Sequence, residues 1–201
     1  MVFVEKILVG GWLKKLMRII SGKLKGKALS FLKSSTTRPL KDSVKESIFN
    51  ILNHSNLLDI NLKNSNILDL YSGIGSFGLE CISRGAEKIT FVEKDKNVVE
   101  ILNKNLLDLN INKNVTVIVD EIENFLKKNL SEKFEIIFLD PPFSNNEYLR
   151  DLKLIKQKKN YKKKHVVIIH REKKSSENFK SILNPIIIKQ YGRSKIIFGK
   201  F

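Results

Sequence analysis

The chain has 201 residues, 37 Lys and Arg against 21 Asp and Glu, a formal net charge of +16 and one cysteine, Cys81. A chain of this length suits one domain that buries roughly 70% of the surface its unfolded form exposes, so it needs no disulfide or metal staple. A lone cysteine forms no internal bridge and fits a reducing, cytoplasmic setting; the scattered His54, His165 and His170 have no ligand-like spacing, so no metal is expected, and no apolar run reaches the roughly 20 residues that span a membrane. The positive balance points to a polyanion, with nucleic acid first, although abundant Lys, Ile and Asn is also how an AT-rich coding sequence drifts.

Residues 1–16 mix an apolar run with Glu5, Lys6, Lys14 and Lys15, unlike a signal peptide, and the patterned sequence starts at Met17, so they are read as a leader or disordered arm. Residues 18–31 have short β-prone ends around a Gly- and Lys-rich middle, which predicts a hairpin. Its Arg18, Lys23, Lys25 and Lys27 could track a phosphate backbone; the plainer reading is a solvated ribbon that covers an edge. After Thr37, Arg38 and Pro39, the spacing of Ser43 and Glu46 predicts a capping box, and Val44, Ile48, Ile51 and Leu52 form one helical face behind it. The Asn-rich stretch 53–66 reads as a connection, with a boundary near Leu62 that divides an extension, 17–62, from a main domain, 63–201.

Strands are expected at 67–70, 89–93, 115–119, 134–139, 166–170, 185–190 and 194–198, with helices between most of them. One helix, 97–109, places Val98, Ile101, Leu102, Leu106 and Leu109 on one face, and the Lys-rich 156–164 reads as a solvated helix end or loop. Near-continuous apolar strands alternating with amphipathic helices predict an α/β, Rossmann-like fold with a doubly wound, mainly parallel sheet of seven strands. The last two strands are separated only by Tyr191, Gly192 and Arg193, too few for a helical crossover, so the C-terminal strand should be antiparallel.

Two motifs fall at strand carboxyl ends, where open α/β sheets bind ligands. Gly73, Gly75 and Gly78 have the G-x-G-x-x-G spacing after a strand and before a helix, and Glu93 ends the next strand, where a carboxylate can take ribose hydroxyls. Those features suit NAD as well as S-adenosylmethionine. Asp69 favours the latter, because it would face a cationic methionine moiety but repel a pyrophosphate, and Asp120 ends the third strand, where an acid can receive an adenine amino group. The second motif is Asp140-Pro141-Pro142-Phe143. Its prolines remove two donors and stop strand pairing, leaving a stiff loop. Asp140 and the Pro141 carbonyl can accept from an amino group and Phe143 offers a ring face, which suits a flipped-out amino-bearing base; an ordinary β-to-α turn is the bland alternative.

At this point residues 17–201 resemble the RsmD-type methyltransferases. The resemblance rests on Arg18-Ile-Ile-Ser-Gly22 with Lys25-Gly26-Lys27, on Arg38-Pro39 with 42–50, on Asp69 to Glu80, on Asp140 to Phe143 and on Tyr191 to Ser194. Ser21, Leu40 and Ile74 depart from the family's usual residues. The resemblance implies a class I methyltransferase fold, S-adenosyl-L-methionine as donor, and methylation of the exocyclic N2 of a guanine of the guanine-966 type in 16S ribosomal RNA. It implies the small ribosomal subunit or its RNA as partner; a monomer in the cytoplasm is expected beside it. The expected roles are cofactor binding by Asp69, Gly73, Gly75, Gly78, Glu93 and Asp120, base placement by Asp140, Pro141 and Phe143, and RNA binding by Arg18, Lys23, Lys25, Lys27 and Arg38. An adenine-N6 DNA methyltransferase and a catalytically silent RNA-binding protein remain the rival readings.

Overall fold

The computed structural model describes residues 17–31, 40–144, 146–176 and 178–201. The expectations for 1–16 and for Arg38 lie outside those residues. The seven runs read as strands all form: β1 (Asn66–Leu70), β2 (Lys88–Glu93), β3 (Val115–Val119), β4 (Phe134–Leu139), β5 (Tyr161–Glu172), β6 (Asn184–Tyr191) and β7 (Ser194–Lys200). They make one sheet in the order β3-β2-β1-β4-β5-β7-β6. The pairs from β3 through β5 are parallel, and β7 runs antiparallel to both neighbours, so it is inserted between β5 and the edge strand β6. The chain winds outward from β1 to β3, then returns to place β4 on the other side of β1. A crevice must open where the winding reverses, at the carboxyl ends of β1 and β4.

Strand alternation divides the core between the two faces of the sheet. Ile67, Ile89, Phe91, Ile136, Phe138, Val166 and Ile168 face one layer with α1 (Asp42–His54), α2 (Ser76–Ser83) and α3 (Lys96–Asp108). Leu68, Leu70, Val92, Ile137, Leu139, Val167 and Ile169 face the other with α4 (Ile122–Lys127) and α5 (Tyr148–Lys158). An aromatic stack links α1, α2 and β4: Phe49 to Phe77 at 5.4 Å and Phe77 to Phe138 at 4.0 Å between ring centroids.

The N-terminal segment joins the first of these layers, since Met17, Ile19, Leu29 and Leu40 are buried in the same cluster. Its ladder shrinks to one bridge, Arg18 with Ala28, closing a turn through Gly22 and Gly26. The loop is held from α2 instead. Glu80, fully buried, accepts the N–H groups of Ile20 at 2.8 Å and Ser21 at 3.0 Å, and also receives Arg84 Nε at 2.8 Å. Gly22 has φ +81°, and a Cβ there would lie 2.0 Å from the Ser83 carbonyl oxygen, so only glycine lets the two backbones meet.

Two local expectations are corrected. The capping box does not form: α1 starts at Asp42, Lys41 is the N-cap residue, and no side chain caps it. Tertiary docking decides that start, because the buried Lys45 ammonium donates to the Arg18 carbonyl at 2.7 Å and lies 3.6 Å from Asp42. An acid in the first turn also complements the helix dipole. The Lys-rich stretch is also only partly a helix end: Lys156 and Lys158 close α5, but Lys162 to Lys164 open β5. The pairing of Phe134 with Tyr161 extends that strand backward through residues too polar to announce it.

Candidate active site

The glycine loop joins β1 to α2 and is braced from β2. Gly73 donates its N–H to Glu93 Oε2 at 3.0 Å, while Glu93 Oε1 accepts from Lys94 and Asp95. Gly73 has φ +55°, and a Cβ added there would meet nothing within 4 Å. Gly75 and Gly78 differ. A Cβ on Gly75 would lie 2.4 Å from Leu102 and one on Gly78 2.3 Å from the Phe91 ring, so both serve the close packing of α2. Asp69 is buried beside them, with Oδ2 accepting the Gly78 N–H at 3.0 Å and Oδ1 without a partner among the described residues. Burial pushes its carboxyl well above the ordinary range, and Asp140 and Glu93 add to the rise.

A cleft of about 1010 Å³ runs from this loop to the Asp-Pro-Pro-Phe loop after β4. That is at the upper end of the ~300–1,000 Å³ typical of small-molecule sites. Ser72, Gly73, Glu93, Asp140, Pro141 and Phe143 all line it, and Met17, Phe31 and Leu40 of the N-terminal segment close one side. Asp69, Gly75, Gly78 and Asp120 do not line the cleft. The Asp120 carboxylate is occupied by Lys128 Nζ at 2.7 Å, Asn124 Nδ2 at 3.4 Å and the Glu121 N–H at 2.9 Å, and its neighbours Glu121 and Ile122 line the wall instead. The buried Ser72 hydroxyl has no partner among the described residues and lines the cleft at the glycine loop, and a cofactor bringing an ammonium and hydroxyl groups would fit such an acceptor.

The Asp-Pro-Pro-Phe loop is held by residues of β5. Arg171, almost fully buried, donates to the carbonyls of Pro142 at 3.1 Å and Phe143 at 3.0 Å, and its guanidinium lies 4.5 Å above the Tyr148 ring. Asp140 Oδ1 lies 2.8 Å from His170 Nδ1, and His170 Nε2 lies 2.9 Å from Ser194 Oγ. Across the cleft, Tyr71 has φ +57° and donates its hydroxyl to Asp151 Oδ2 at 2.5 Å. Burial pushes the Asp151 carboxyl up to about 6, with Glu123 and Glu147 adding and the Tyr71 hydroxyl opposing, and burial likewise pushes the Tyr71 phenol up.

Of the predicted basic residues, Lys23, Lys25 and Lys27 are exposed on the docked N-terminal loop, and Arg18 is exposed with Nε 3.7 Å from Asp42. His170, Arg171, Ser194, Tyr71 and Asp151 were not read as site residues from sequence. A signal existed for two of them. His170 and Arg171 are polar residues at the carboxyl end of an apolar strand, the same placement that drew attention to Asp140.

A family model described as conserved hypothetical protein 95 matches residues 17–200. The chain is 37% identical over 158 residues to the ribosomal RNA small subunit methyltransferase D of Buchnera aphidicola from Acyrthosiphon pisum, covering 79% of each chain. It is 35% identical over 159 residues to the protein of the same name from Haemophilus influenzae, covering 78% of this chain and 79% of that one. Among solved structures, the yhhF protein of Escherichia coli superposes with a TM-score of 0.78 at 25% identity, covering 92% of this chain and 97% of that one.

Proposed function

The chain belongs to the family described as conserved hypothetical protein 95, the RsmD family of class I methyltransferases, and from that premise we propose that it methylates the exocyclic N2 of a guanine in 16S ribosomal RNA. The donor is S-adenosylmethionine, which when bound supplies an electrophilic methyl carbon. The observation that carries the reading is the shared cleft: the glycine loop after β1 and the Asp-Pro-Pro-Phe loop after β4 line one cavity, so a cofactor and a flipped-out base can meet there.

The positions of the described cleft residues support a division of labour. Gly73 leaves room for close approach, and Glu93 faces the cleft while fixing the loop backbone. The Ser72 hydroxyl offers an acceptor to the methionine end, and Asp69 holds the first turn of α2 behind it through the Gly78 N–H. On the other wall Asp140 and the Pro141 carbonyl accept the protons of the amine, and Phe143 packs on the base. Guanine N2 is a poor nucleophile because its lone pair is delocalised into the ring, so acceptors that pyramidalise it assist attack. Alignment is the larger task, and orientation of this kind supplies about 7 to 11 kcal/mol. Asp140 acts as acceptor rather than full base, since the proton becomes acidic only after transfer. Arg18, Lys23, Lys25, Lys27 and Arg38 contact RNA phosphates.

Transfer of labelled methyl groups to unmodified small subunits, naked ribosomal RNA and duplex DNA, followed by nucleoside analysis, tests the proposal. N2-methylguanosine from a ribosomal sample is the expected product and its source identifies the substrate form. N6-methyladenine from DNA, or no transfer and no cofactor binding, would overturn it.

A further inference from the structure

We propose that His170 and Ser194 form a buried hydrogen-bond relay that orients Asp140 toward the substrate amine, which makes His170 a positioning residue of the transfer. The proposal rests on the reading of the cleft as a methyl-transfer site.

The order of the three groups is that of a hydrolase triad, with a carboxylate on Nδ1 and a serine hydroxyl on Nε2. Exposure runs the opposite way. Ser194 is 2% exposed and His170 is 3% exposed, whereas the Asp140 side chain is 21% exposed and lines the cleft. A nucleophilic serine must meet its substrate, so Ser194 cannot act as one; the end of the relay that meets a ligand is the carboxylate. Ser194 is therefore the anchor and Asp140 the working group.

The sheet builds this relay from three adjacent strands. Leu139 of β4 pairs with Ile169 of β5, which places Asp140 level with His170, and β7 brings Ser194 alongside from the other flank. A carboxylate only accepts, so Nδ1 carries the proton that points at Oδ1, and Nε2 faces the Ser194 hydroxyl, which can donate or accept. Phe143 packs its ring at 77° to the imidazole, 5.5 Å between centroids, which limits ring rotation. With Oδ1 occupied, Oδ2 has no partner among the described residues and is the oxygen left to accept from an amine.

Two amide replacements separate positioning from bulk. The amide nitrogen of His170→Asn reaches the place of Nδ1 and can still donate to Asp140, whereas that of His170→Gln reaches the place of Nε2. We expect His170→Gln to lower kcat by about 10- to 100-fold with unchanged cofactor affinity, the scale of loss when a reacting group is misplaced, and His170→Asn to restore kcat to within about threefold of the unsubstituted chain. Equal kcat in the unsubstituted chain and in a folded His170→Gln variant would overturn the proposal, as would equal losses in both variants. Imidazole 15N shifts of the unsubstituted protein, assigned through loss of the signal in His170→Asn, should show a protonated Nδ1; a bare Nδ1 would overturn it without reference to activity. Absence of ribosomal methylation by the unsubstituted chain would instead count against the function proposed above, so the two failures are distinguishable.

Discussion

The buried carboxylate of Glu80 accepts the backbone N–H of Ile20 at 2.8 Å, joining residues sixty apart in the chain. The same side chain receives Ser21 and Arg84, so one residue of the glycine-loop helix fixes the N-terminal segment whose Met17 and Phe31 line the cleft. Replacing Glu80 by Ala strands two N–H groups and a guanidinium, and breaking a buried charge pair costs about 3–5 kcal/mol. Denaturant unfolding should show a loss of that order, and limited proteolysis should cut first within residues 20–27. Unchanged stability would mean that the loop docks by apolar contact alone.

Gly73 and Gly78 belong to one motif and should fail differently. A Cβ on Gly78 would lie 2.3 Å from the Phe91 ring, so Gly78→Ala is expected to cost about 1–3 kcal/mol of stability while cofactor affinity per folded molecule is kept. Gly73→Ala meets no atom but holds a side chain at φ +55°, costing about 1 kcal/mol, and its methyl group enters the cleft wall. Calorimetric titration with S-adenosylmethionine should show the larger loss for Gly73→Ala.

Arg171 holds two consecutive carbonyls of the Asp-Pro-Pro-Phe loop, at 3.1 and 3.0 Å. Lysine cannot reproduce that fork. Arg171→Lys should lower kcat by about 100-fold through loss of loop position, with cofactor binding retained. A normal kcat would show that the prolines alone hold the loop.

Asp140 faces the cleft with one oxygen uncommitted among the described residues. Asp140→Ala should abolish methyl transfer while isothermal titration still detects S-adenosylmethionine binding, because the glycine loop and Glu93 are untouched. Retained turnover would remove Asp140 from the chemistry.

Asp151 supplies a pH dependence. Folding pushes its pKa up to about 6, so between about pH 4 and 6 the native state keeps a proton that the unfolded chain has released. Stability from this group is therefore full at low pH and is lost as pH rises through that window, by at most about 3 kcal/mol. Asp151→Asn keeps an acceptor for the Tyr71 hydroxyl and removes the charge. The variant should be more stable than the unsubstituted chain at pH 7, by about 1–3 kcal/mol, and the difference should vanish near pH 4.

The strands, the glycine loop and the Asp-Pro-Pro-Phe loop were legible in the sequence because each is a local pattern. Residues 134–139 form a strand as written, and the antiparallel β7 follows from a connection too short for a helix. The start of α1 was not legible. Ser43 and Glu46 satisfy the local rule for a cap, yet docking of Arg18 against Lys45 and Asp42 sets the first turn elsewhere.

Within the site, sequence determined the residues that face the cleft from three strand ends, Gly73, Glu93 and Asp140 among them. Only the tertiary structure decided that Gly78 packs on Phe91, that Asp120 is taken by Lys128, and that Asp140 rests on His170 and Ser194. Local spacing fixes which way a residue points along its own element. Which side chain stands opposite depends on the register between strands, and Asp140, His170 and Ser194, 30 and 24 positions apart, meet only because β4, β5 and β7 pair as they do.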